Sequence, residues 1–204
     1  MHRIRSLEWG RPLALVLPLV LGCAVGIHEA PLPGDPMPIR DMAPVYSAES
    51  STGIDGKVGW GKGTLFAIPM VPIYITGDDN IEVARRIGQA VDHAGLPRAT
   101  RPEGAARLDY HVERFWFQNY TWFFPILVPT WGNAEIRVTV SDLSGNEVWS
   151  RAFTASGRTF NFFNGFSIAA NEALDQILVQ MRDEFRSREF ARTLTEASTP
   201  GSTP

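Results

Sequence analysis

The chain holds one cysteine, Cys23, and four histidines in 204 residues, so thiol chemistry belongs to a single position. A lone cysteine in an exported protein pairs between chains, stays a free thiol or is modified. His28, His93 and His111 lie far apart in sequence, and no H-E-x-x-H or closely spaced His/Cys pair accompanies them. A metal site is therefore not expected. Gly56 to Gly63 (GKVGWGKG) nearly matches the phosphate-binding G-x-x-x-x-G-K-[ST] loop. Gly63 stands where the metal-binding hydroxyl belongs, and Pro69 and Pro72 oppose the helix that should follow. The run reads as a glycine loop. There is no G-x-S-x-G elbow, and no nucleophile stands beside a base. The expectation is a protein that is not an enzyme and has no cofactor; a convergent polar cluster around His93 or His111 would revive a hydrolase.

The segment Phe115 to Trp131 (FWFQNYTWFFPILVPTW) has eight aromatics in seventeen residues and no charge. Pro125 and Pro129 oppose a membrane-spanning helix, because lipid cannot replace the backbone bonds that proline removes. Two readings stay open. The segment folds back to complete the core, or it is an exposed contact for a protein partner, a sister subunit or the bilayer interface. Phe115, Trp116, Phe117, Tyr120, Trp122, Phe123, Phe124 and Trp131 are the candidate contact residues.

These residues need elements to position them. Arg3, Arg5 and Arg11 precede the apolar run Pro12–Leu21, which ends at Gly22-Cys23. That is the layout of a signal peptide. Its ten residues span only about 15 Å as a helix, half a bilayer core. Without the three arginines and one glutamate of residues 1–22, the formal charge goes from −3 to −5. A mildly acidic chain with no basic run is not a nucleic-acid binder. With no second cysteine, the fold must be stable through its core.

Residues 23–45, with five prolines, read as an extended tether. A single domain is expected over 46–192, and 193–204 reads as a disordered tail. Within the domain, 47–63 reads as loop, and Leu65–Ile75 as a doubtful strand broken by proline and suited to an edge. Ile81, Ala84, Ile87, Gly88 and Val91 predict a helix over about 81–94, capped by Asp79 with Glu82. Period-two alternation predicts strands around Leu108–Val112 and Ile136–Val140, then a turn at Asp142–Asn146 and a returning strand, Val148–Thr154. A long helix follows from near Ser167. The expected fold class is α+β: an antiparallel sheet of three to four strands with two helices packed on one face.

Two resemblances add to this. Val20-Leu21-Gly22-Cys23 resembles the lipobox of bacterial lipoproteins. The resemblance implies cleavage before Cys23 and lipid attachment (palmitate) at Cys23; with Ala24 following, it implies an outer-membrane address facing the periplasm. The alternatives are an ordinary secretory signal with an incidental cysteine, or a buried N-terminal helix. The helix ending at Gly95, Leu108-Asp109-Tyr110-His111-Val112, Ile136 to Asp142, Ser144-Gly145 and Val148-Trp149 resemble the YajG and ABC-transport auxiliary (PqiC-like) lipoproteins. They are also similar to the periplasmic domain of CsgG. The resemblance implies a non-enzymatic accessory or assembly component of an envelope complex, membrane-bound through Cys23, with a protein partner or homo-oligomer. The alternative is a carrier of a small apolar ligand or lipid.

Overall fold

Strict alternation of apolar and polar side chains builds the centre of the molecule. The computed structural model describes residues 23–28, 30–47, 57–63, 69–75, 77–121, 129–161 and 164–199. Strands β5 (Ala106–Thr121), β6 (Thr130–Ser141) and β7 (Glu147–Thr159) form an antiparallel meander. Leu108, Tyr110 and Val112 of β5 and Ala134, Ile136, Val138 and Val140 of β6 turn to the core. The β6–β7 turn closes on Asp142, whose carboxylate accepts from the N–H groups of Ser144 and Asn146 at 2.8 and 2.9 Å.

The sheet is larger and more mixed than the alternation predicts. β1 (Cys23–Val25), β2 (Val45–Ser47), β3 (Lys57–Gly63) and β4 (Pro69–Ile75) join it. Six strands follow the path β1-β4-β3-β5-β6-β7, and β2 pairs with β5 off that path. β1 runs parallel to β4, while β2 and β3 run parallel to β5. This corrects the expected antiparallel sheet of three to four strands.

The cause is local. The glycine run is a strand rather than a loop, and at Gly59 the neighbour leaves no room for a side chain: a Cβ there would sit 1.8 Å from the Phe117 carbonyl oxygen. β4 is flanked on both sides. Its prolines are accommodated because β1 reaches only Ile73–Ile75 and leaves Pro69 and Pro72 without that neighbour.

Among the described residues there are three helices, not two: α1 (Gly77–His93) packs on α2 (Gly165–Phe185), and α2 and α3 (Arg188–Ala197) lie against the sheet. α1 buries Val83, Ile87, Ala90 and Val91, whereas Ile81 is exposed. α2 turns Ala169, Ala173, Leu174, Ile177, Leu178 and Met181 inward. α3 takes up the start of the segment expected to be a disordered tail. Ser187 caps it by accepting from the Phe190 N–H at 3.0 Å, and Phe190, Leu194 and Ala197 are buried. Its small polar residues face solvent, which is why composition hides the helix.

The proline-rich stretch is not a free tether either. Val25, Ile27 and Leu32 are buried. The N–H groups of Met37 and Arg40 donate to the carbonyls of His93 and Gly95 at 3.0 and 2.9 Å. Arg182 and Arg186 donate to the carbonyls of Pro33 and Asp35. An extended chain makes no internal backbone bonds, so long arginine side chains and the end of α1 satisfy it instead.

Candidate functional site

Three places bear on function: the segment that follows Cys23, the aromatic part of β5 and β6, and the open face of the sheet. Cys23 opens β1, where it lies beside Ile73 in register. A polar clamp grips the chain just after it. The Gly26 N–H donates to Ser167 Oγ at 3.0 Å, and the Gly26 carbonyl accepts from Asn171 Nδ2 at 3.0 Å. Asn171 Oδ1 accepts from the His28 N–H at 2.9 Å and from Arg86 Nη1 at 3.3 Å. Arg86 also forms an ion pair with Asp175.

Arg86 is completely buried, and a buried guanidinium is tolerated only when it is paired and hydrogen-bonded. Its Nε has no hydrogen-bond partner among the described residues. The clamp was not anticipated, yet a signal for it existed. Arg86 sits three residues after Val83 and four before Ala90, on the stripe that faces the core. Arg85, its neighbour, lies on the outer face and pairs with Glu82 at 2.7 Å.

The candidate contact residues divide. Phe115 and Phe117 are buried, edge to face at 5.0 Å. Trp116 is 39% exposed, and Trp131 is half-buried opposite Gln118. Tyr120 belongs to β5. Trp122, Phe123 and Phe124 lie outside the described residues. A bulge makes the division. The register shifts between Val112 and Arg114, so inward-facing positions change from even to odd numbers. Phe115 and Phe117 thereby enter the core, while Trp116 comes out.

The face of the sheet away from the helices is polar. Glu113 and Arg137 form a two-bond pair across the strands, at 2.5 and 3.1 Å. The Arg137 guanidinium holds the Glu113 carboxyl below its ordinary range, and Glu113 in turn raises Arg137. Beside them an open depression of about 440 Å³ is lined by Arg114, Asn133, Glu135, Thr154, Ser156 and Gln176. The free edge of β7 is covered here by α2. Gln180 and Gln176 donate to the carbonyls of Thr154 and Ser156, and Glu172 accepts from the Arg158 N–H at 2.8 Å. Three side chains thus close an edge that would otherwise pair with another strand.

His28 and His111 are exposed and His93 is half-buried, each in a different part of the fold. Among the described residues no group of three or more His, Cys, Asp or Glu side chains is placed to hold a metal. Among the described residues no helix is long and apolar enough to cross a membrane.

No protein-family model and no curated protein matches the chain. Solved structures do. A Xanthomonas campestris protein of family model DUF330 is 15% identical, with a TM-score of 0.48 over 84% of this chain and 94% of that one. A minor lipoprotein from Acinetobacter baumannii is 10% identical, with a TM-score of 0.39 over 67% of this chain and 95% of that one. Lipoprotein GNA1162 from Neisseria meningitidis is 12% identical, with a TM-score of 0.25 over 70% and 96%. These likenesses are too distant to carry over a residue role or a function.

Proposed function

We propose that the protein is a lipid-anchored component of the bacterial envelope, held at the outer membrane through Cys23 and working as a partner in an assembly rather than as an enzyme. The observation that carries this reading is the charged-apolar-small leader ending at Val20-Leu21-Gly22-Cys23. Ala24 supports the outer-membrane address. More than one acyl chain is needed for stable anchoring, because each buried methylene contributes only about 0.8 kcal/mol.

Two features favour binding over catalysis. The thiol is used by the lipid, and Glu113 on the open face is paired with Arg137 instead of standing free as a base. The depression there is polar, which suits a protein surface better than an apolar ligand. Labelling with radioactive palmitate tests the anchor. Wild type is expected to take up label and fractionate with membranes, and Cys23→Ser to take up none. Label retained in the variant overturns the reading.

A further inference from the structure

Pairing register places the anchor relative to every strand of the sheet. Cys23 lies beside Ile73, Ile73 beside Gly59, and Gly59 beside Phe117. Phe117 continues the row to Gly132 and Gly157. β1 and β4 run in the same direction, and β4 begins at Pro69, opposite Lys62, which in turn lies beside Tyr120. The N-terminal end of β1, at Cys23, therefore points to the end of the sheet where β3 ends and β4 begins and where β5 ends and β6 begins.

That end differs chemically from the rest. Beyond the Cys23 row, the strand residues 60–63, 69–72, 118–121, 130–131 and 158–159 include two charged side chains, Lys62 and Arg158, both basic. Acidic strand residues (Asp109, Glu113, Glu135 and Glu147) all lie on the other side of the row. Just past β7, Phe160 is 50% exposed, with the Arg158 guanidinium 5.1 Å from its ring centroid. α2 starts at this end, since a Cβ on Gly165 would meet Thr130 Oγ1 at 2.5 Å, and its first turn shows Ile168 at 38% exposure.

Distance decides what this end must meet. Pro69 is four residues past Ile73, so the strand ends project about 13 Å beyond the anchor row. The headgroup zone of one leaflet is only about 5–8 Å deep. Cys23 is itself paired in a strand and gripped three residues later by the Ser167–Asn171 clamp, which leaves no slack. Acyl chains on Cys23 reach the bilayer only if the projecting strand ends reach it too.

We infer that this end of the sheet is a second membrane contact, seated in the headgroup layer of an anionic bilayer. Tryptophan suits that layer because it has an apolar body and a polar tip, and the half-buried Trp131 lies at this end. Arg158, exposed beside Phe160, meets lipid phosphate there. The inference rests on the acylation of Cys23, and it adds an orientation: the polar open face and the Asp142 turn stand away from the membrane.

The acylated protein, reconstituted into phosphatidylethanolamine–phosphatidylglycerol vesicles with brominated acyl chains, provides the test, because bromine quenches nearby indoles. Trp131 lies beyond the anchor row. Trp149, opposite Val140, lies about 30 Å from it along β6. Trp131→Phe is expected to lower the quenched share of the emission, and Trp149→Phe to raise it. Arg158→Glu combined with Phe160→Asp, both exposed positions, should cut quenching by about half with an unchanged far-ultraviolet spectrum. Equal quenching in all variants, or quenching that disappears with Trp149, overturns the inference while palmitate on Cys23 leaves the anchor standing. Absence of palmitate on Cys23 overturns both.

Discussion

The two halves of β5 are built by different rules. From Ala106 to Val112 large side chains alternate with charged ones, and the pairs on the open face are ionic: Arg107 with Asp109 at 2.7 Å, Glu113 with Arg137. From Phe115 onward glycines enter the neighbouring strands, Gly59, Gly61 and Gly63 in β3 and Gly132 in β6. Phe117 lies between Gly59 and Gly132, and α2 comes so close that a Cβ on Gly157 would sit 1.7 Å from the Ala169 carbonyl oxygen. The first half is held by side chains meeting side chains, the second by backbones approaching each other around one ring. Side-chain packing leaves a period in the sequence. Backbone proximity leaves only missing side chains.

The largest test of this difference is a shift of phase between the halves. One alanine inserted between Arg114 and Phe115 puts Phe115 and Phe117 on the open face and Trp116 in the core. The expected outcome is loss of a cooperative transition in urea; a transition near wild type would mean that the bulge does not set the phase. A smaller effect is expected from Gly157→Ala. The added methyl meets backbone that cannot rotate away, so a destabilisation of about 1–3 kcal/mol in equilibrium unfolding follows. An unchanged midpoint would show that α2 can withdraw from β7.

The smallest effect lies at the other end of the sheet. Hydrogen bonds from Asn146, backbone first, hold the Asp142 carboxyl below its ordinary value of 3.8. A carboxylate depressed in the folded state stabilises at pH above its unfolded value, and this contribution fades as pH falls through the folded one. Asp142→Ala should therefore lower Tm slightly at neutral pH, and its difference from wild type should shrink in acid below that range. A difference independent of pH would assign the effect to turn geometry alone.

The same division explains what was legible beforehand. β5 to β7, the Asp142 turn and the body of α2 follow from alternation, turn residues and helical spacing, each a local signal. β1 and β2 have three residues each, and β3 carries glycine at every second position, so none of them shows a period. Their places come from long-range parallel pairing, which local pattern does not encode. The aromatic segment had two readings because its phase depends on a bulge, and a single extra residue has no signature in a run of Phe and Trp. Arg86 is hidden in the sequence for a plainer reason. A charge inside an apolar stripe reads as an interruption, whereas it is the centre of the clamp that holds the segment after Cys23.

That clamp has a mechanical consequence. A pull on residue 23 toward its N-terminal side acts along the axis of β1. The force therefore shears the β1–β4 pairing and the Gly26 bonds to Ser167 and Asn171 together, instead of peeling them apart one at a time. Bonds loaded in parallel share the tension. The sheet is thus gripped in its stiff direction at the point where tension from the membrane would enter.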